Sequence, residues 1–76
     1  MKEILTTIIQ SLVSKPDSIT INEIENEKSI IFEVKVNEED MGKVIGKQGK
    51  IAKSIRTIIR AIAAKEQKRV SIEFLD

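Results

Sequence analysis

The chain has 76 residues, of which 41% are hydrophobic and 33% charged, and its formal net charge is +1. It contains no cysteine, histidine, tryptophan or tyrosine. That composition excludes disulfides, thiolate or imidazole metal sites and any Ser–His or Cys–His catalytic pair.

Residues 2–15 carry apolar side chains at Ile4, Leu5, Ile8, Ile9, Leu12 and Val13, one stripe on a helix that Pro16 ends. Asp17-Ser18 turns the chain, and Ile19-Thr20-Ile21 alternates as a short strand. Ile24 falls out of phase and marks a strand end or a bulge, before a polar turn at Glu25-Asn26-Glu27-Lys28. From Ile30 to Val36 the alternation is strict: Ile30, Phe32, Val34 and Val36 point one way, Glu33 and Lys35 the other. Asn37 is an expected N-cap, with Glu38, Glu39 and Asp40 in a first turn whose dipole favours anions. The helix they open is expected to reach about Ile45 and to break at Gly46-Lys47-Gln48-Gly49. A longer helix follows, with Ile51, Ile55, Ile58, Ile59 and Ile62 inward and Lys53, Arg56 and Arg60 opposite. Val70-Ser71-Ile72-Glu73-Phe74 closes as a strand, and both phenylalanines, Phe32 and Phe74, read as core. The order α-β-β-α-α-β predicts an α+β fold of two layers. A hairpin joined by a parallel third strand forms a three-stranded mixed sheet, with three helices on one face. Residues 1–76 read as one domain.

The net charge conceals an uneven distribution. Met41 to Lys65 holds seven basic residues and no acidic one, so this block carries +7 and the remainder −6. Two readings fit: a solvated helix face, or the footprint of a polyanion binder. The glycine-framed bend bears on the choice. Gly46 and Gly49 allow a sharp turn and close approach, and the next helix begins at Lys50 with unpaired amides and a partial positive charge. Lys43, Lys47 and Lys50 add full charges where a phosphate would rest. A tight corner in which glycine only permits the bend is the competing explanation. A Walker loop is excluded, because Gly49-Lys50 is followed by Ile51 and not by Ser or Thr.

The run Met41-Gly42-Lys43-Val44-Ile45-Gly46-Lys47-Gln48-Gly49-Lys50-Ile51-Ala52-Lys53-Ser54-Ile55-Arg56 resembles the signature of a KH domain. The element order matches the type II arrangement, and the resemblance extends over the whole chain to the small single-domain bacterial RNA-binding proteins of the KhpA family. It implies that Gly46 and Gly49 contact an RNA backbone, with Lys47 and Gln48 at the variable loop positions and Lys43 and Lys50 flanking as phosphate partners. Ile45 and Ile51 would form an apolar floor for bases or would simply pack in the core. Lys53, Arg56 and Arg60 would extend the cationic path or remain a solvated face. The implied partner is single-stranded RNA. A homodimer, or a heterodimer with a larger KH protein of the Jag (KhpB) type, is also implied, with a role as RNA chaperone or regulator in cell elongation, division and cell shape.

No exposed aromatic is expected, so base stacking of the kind used by OB folds is disfavoured and one copy should bind weakly. A second copy would raise affinity. The alternative is a KH-fold interaction module that works by dimerising, with nucleic-acid binding incidental. An enzyme is not expected, since Glu38, Glu39 and Asp40 read as helix-start residues. Phosphate contacts alone do not separate RNA from single-stranded DNA. No cofactor is expected. No stretch approaches the roughly 18 apolar residues of a membrane span, Met1-Lys2-Glu3-Ile4 is unlike a signal peptide, and a cytoplasmic location with no membrane contact is expected.

Overall fold

The computed structural model describes residues 1–75. The chain folds as α1 (Lys2–Leu12), β1 (Thr20–Glu25), β2 (Ser29–Lys35), α2 (Met41–Ile45), α3 (Lys50–Lys65) and β3 (Arg69–Leu75). Short 3-10 turns at Pro16–Ser18, Glu38–Asp40 and Lys47–Gly49 link them. The strand order is β1-β2-β3, with β1 antiparallel and β3 parallel to β2. This is the α+β mixed sheet with three helices that the sequence predicts, in the α-β-β-α-α-β order of a type II KH fold.

The strict alternation of β2 decides which sheet face is covered. Ile30, Phe32, Val34 and, just beyond the strand, Val36 are buried, and Ile72 of β3 joins them. Each such side chain removed from water contributes about 1.5–3 kcal/mol. Leu5 and Ile9 of α1, Val44 of α2 and Ile55 and Ile59 of α3 complete the core. The seam of α3 runs Ala52, Ile55, Ile59, Ala63, a spacing that keeps one ridge against the sheet.

Several boundaries and facings differ from the sequence reading. Helix α1 ends at Leu12 and not at residue 15: Val13 is already extended, and the amides of Ser14 and Lys15 bond to the Asp40 carboxylate instead of continuing the helix. Ile24 is neither a strand end nor a bulge: it pairs in register with Ile31 on the uncovered sheet face and is 52% exposed. Ile58 is not inward. At 47% exposed it flanks a seam too narrow to shelter it, and Ile4 on α1 is similarly exposed. Phe32 is fully buried, whereas Phe74 is only half-buried at the sheet edge. The β1–β2 turn is built by Asn26, whose Oδ1 accepts from the amides of Lys28 and Ser29 and from Ser29 Oγ.

Candidate nucleic-acid interface

Helix α2 stops because Gly46 takes φ 77°, ψ 174°, a region essentially closed to residues with a side chain. Its amide still donates to Gly42 O at 2.9 Å, so the turn is wound tightly onto α2. Space forbids a side chain as well: a Cβ on Gly46 would lie 2.6 Å from Ile51 Cγ1 and 2.9 Å from Ile51 Cβ. Gln48 (φ 58°) and Gly49 (φ 73°) are both left-handed, which reverses the chain into α3.

The bend is open to solvent. Lys47, Gln48 and Lys50 are exposed and the two glycines half-buried. Gly49 N–H donates to Gly46 O at 3.2 Å, while Lys47 and Gln48 open the 3-10 turn, so their amides have no partner within it and no side chain caps them. An uncapped turn with Lys47 and Lys50 on it thus stands at the start of a sixteen-residue helix. An oxyanion of a phosphate meets both requirements of such a site, hydrogen-bond donors and positive charge.

The flanking candidates divide. Lys43 lies 3.2 Å from Asp40 Oδ1 and remains about half exposed, so its charge is partly spent within the protein. Lys47, Lys50, Lys53 and Arg60 have no carboxylate within salt-bridge distance among the described residues. Ile45 and Ile51 are half-buried and pack against the core, leaving part of each side chain at the surface beside the bend. Arg56 does not share the solvated face of Lys53 and Arg60. It folds down onto β3, where Nε and Nη2 each reach Ile72 O at 3.3 Å and the guanidinium lies over the Phe74 ring, 5.5 Å from its centroid.

Asp40 lies in the first turn after Asn37, as the sequence predicts, but it has a further part that the sequence does not signal: it is fully buried. Its Oδ1 accepts from Ser14 N–H at 3.0 Å and Ser14 Oγ at 2.7 Å, and Oδ2 accepts from Lys15 N–H at 3.1 Å. The Ser14 hydrogen bonds, helped by Lys43 and the Lys15 amide, hold its carboxyl well below the usual carboxylate range despite the opposing effect of burial. Asp40 thereby ties the end of α1 to the start of the helix that delivers Gly46. Nothing local signals a bond between residues 26 positions apart. The neighbouring N-cap reading does hold, since Asn37 Oδ1 accepts from Glu39 N–H at 3.0 Å.

Among the described residues no cluster of His, Cys, Asp or Glu is placed to hold a metal ion, and no helix is long and apolar enough to cross a membrane.

Comparison with known proteins agrees with this geometry. The sequence model described as KhpA/KhpB, KH domain matches residues 2–74. The RNA-binding protein KhpA of Clostridium acetobutylicum is 59% identical over 75 residues, which cover 99% of this chain and all of the relative. That of Clostridium perfringens is 56% identical over the same shares, and that of Borreliella burgdorferi 49% over 97% of this chain and 90% of its own. No solved structure gives a significant match. Members of this family are RNA-binding KH proteins and not enzymes. By its sequence over nearly its full length, and by its fold, the chain belongs to the KhpA/KhpB KH-domain family.

Proposed function

We propose that this protein binds single-stranded RNA by seating a backbone phosphate on the bend Gly46–Gly49, and that it acts in the cytoplasm as an RNA chaperone or post-transcriptional regulator. The observation that carries this reading is the uncapped start of the turn at Lys47 and Gln48, exposed beside the cations Lys47 and Lys50, which pair with no carboxylate among the described residues. Ile45 and Ile51 supply a partly open apolar floor next to it, and Lys43 a third positive charge. The names of the relatives support RNA as the polyanion. A few phosphates give weak binding, so function would draw on a second KH copy: another molecule of this chain, or a larger KhpB-type protein. The connection to cell elongation, division and shape is proposed on the family resemblance.

A second reading is favoured by one observation. Ile58 is 47% exposed on α3, with Ala61 exposed beside it, so this flank admits another helix and suits a protein-interaction module. Joint replacement of Lys47 and Gln48 by Asp separates the two. It puts two negative charges against the phosphate and leaves the core untouched. Crosslinking to single-stranded RNA should be lost with the circular dichroism spectrum unchanged; retained crosslinking in the folded variant refutes the phosphate seat. Contact with Lys43, Lys47 and Lys50 further predicts a salt slope of log K against log salt of about −2 on single-stranded RNA.

A further inference from the structure

Strand β3 leaves one edge of the sheet open, and its backbone groups can be assigned to sides. The amide of Arg69 donates to Lys28 O at 2.9 Å, so Arg69 faces β2. Because orientation alternates along a strand, Ser71 and Glu73 also face β2, while the backbone groups of Val70, Ile72 and Phe74 face the open edge. An open edge ordinarily offers alternating donors and acceptors. Here the acceptor at Ile72 is already taken, for Arg56 Nε and Nη2 both bind its carbonyl at 3.3 Å. What remains at that point is Arg56 Nη1, the outer hydrogen of Nη2 and the amide of Ile72, all donors. Arg56 is also on the path from the bend: Gly49, Lys53, Arg56 and Arg60 fall at i, i+4, i+7 and i+11, one ridge of α3. Seven helical residues place Arg56 about 10 Å along the axis from Gly49, within the reach of a strand seated there.

We propose that Arg56, clamped between Ile72 O and the Phe74 ring, reads a base at the β3 edge and selects guanine over adenine. Guanine presents two adjacent acceptors, N7 and O6, to this set of donors. Adenine places its N6 amino donor where O6 would be, so donors oppose donors. The half-buried position of Arg56 and its two bonds to Ile72 O fix the side chain before RNA arrives, which reduces the ordering cost of the contact. The inference rests on the RNA-binding reading above and gives Arg56 a role distinct from the phosphate contacts of Lys47 and Lys50.

The test uses the full chain and short single-stranded RNAs of uracil carrying one purine, guanine or adenine, at each position in turn. At one position guanine should bind about tenfold tighter than adenine. Arg56→Gln and Arg56→Met, which lack the paired cationic donors, should bring that ratio to unity or below. A wild-type protein with no guanine preference at any position overturns the proposal whatever the variants do. So does a preference that persists in either folded variant. The joint Asp variant at Lys47 and Gln48 distinguishes the two levels. Loss of binding to both RNAs there, with guanine and adenine bound equally by the wild type, defeats the role of Arg56 and leaves the phosphate seat standing.

Discussion

Replacing Gly46 by alanine places a methyl group where the side chain of Ile51 already lies. The new Cβ would meet Ile51 Cγ1 at 2.6 Å and both Cβ and Cδ1 at 2.9 Å. A rotamer change does not clear the space, because Ile51 is β-branched on a helix, its χ1 is confined, and its Cβ is fixed to the backbone. The dihedrals add a second cost, since φ 77°, ψ 174° belongs essentially to glycine alone. Backbone strain of about 1–3 kcal/mol and crowding of about 1–3 kcal/mol together give a loss of about 2–6 kcal/mol. Gly49 is the internal control. It is also left-handed (φ 73°), but nothing lies within 4 Å of its Cβ position, so alanine there loses only about 1 kcal/mol. A chain of 76 residues has of order 4–11 kcal/mol to lose, so Gly46→Ala removes a large share of the stability. With neither tryptophan nor tyrosine present, urea unfolding is followed by far-ultraviolet circular dichroism. The expected order is wild type, then Gly49→Ala, then Gly46→Ala far below, with m unchanged. Equal losses at the two glycines, or the reverse order, would refute the argument that Ile51 closes the space at Gly46.

Two further outcomes follow from the same geometry. The depressed Asp40 carboxyl means that the unfolded chain takes up this proton first as pH falls, so the stability Asp40 contributes is complete above about pH 5 and shrinks as pH drops below the ordinary carboxylate value. Melting temperature measured against pH should therefore fall on the acid side, and Asp40→Asn should lower it at neutral pH while flattening that fall; an unchanged acid profile in the variant would contradict the role assigned to Asp40. At the other end of α3, Gln67 occupies the left-handed position of a Schellman turn, with its amide on Ala64 O and that of Lys68 on Ala63 O, each at 3.0 Å. Gln67→Gly should relieve about 1 kcal/mol of strain and raise the melting temperature by about 4–8 °C, a rise that calorimetry would detect and whose absence would show the turn to be unstrained.

The parts of the molecule legible in the sequence are those governed by short-range rules. Strict alternation from Ile30 to Val36 specifies both a strand and its buried face, the apolar stripe from Ile4 to Leu12 specifies the first helix though not its end, and the glycines at 46 and 49 sit where the chain has to turn. The misread positions are those where a neighbour distant in sequence decides the outcome. Ile24 and Ile58 are as apolar as any core residue, and their exposure follows only from how far the helices spread over the sheet. Asp40 satisfies the pattern of a helix-start acid, but its partners Ser14 and Lys15 arrive from the far side of a hairpin. Arg56 lies away from the expected isoleucine set of α3, but the buried seam Ala52–Ile55–Ile59–Ala63 is rotated toward it, and its side chain is long enough to fold over the sheet edge and bind Ile72 O. Helical phase sets where a side chain starts, and length and local partners set where its charge ends.

The phosphate seat itself is tested most directly by following backbone amide resonances of the isotopically labelled protein during titration with short single-stranded RNA. The amides of Lys47 and Gln48, which open the uncapped turn, should show the largest shifts, with those of Gly49 to Ile51 following. Shifts confined to the uncovered sheet face around Ile24 and Ile31, with the bend silent, would contradict it.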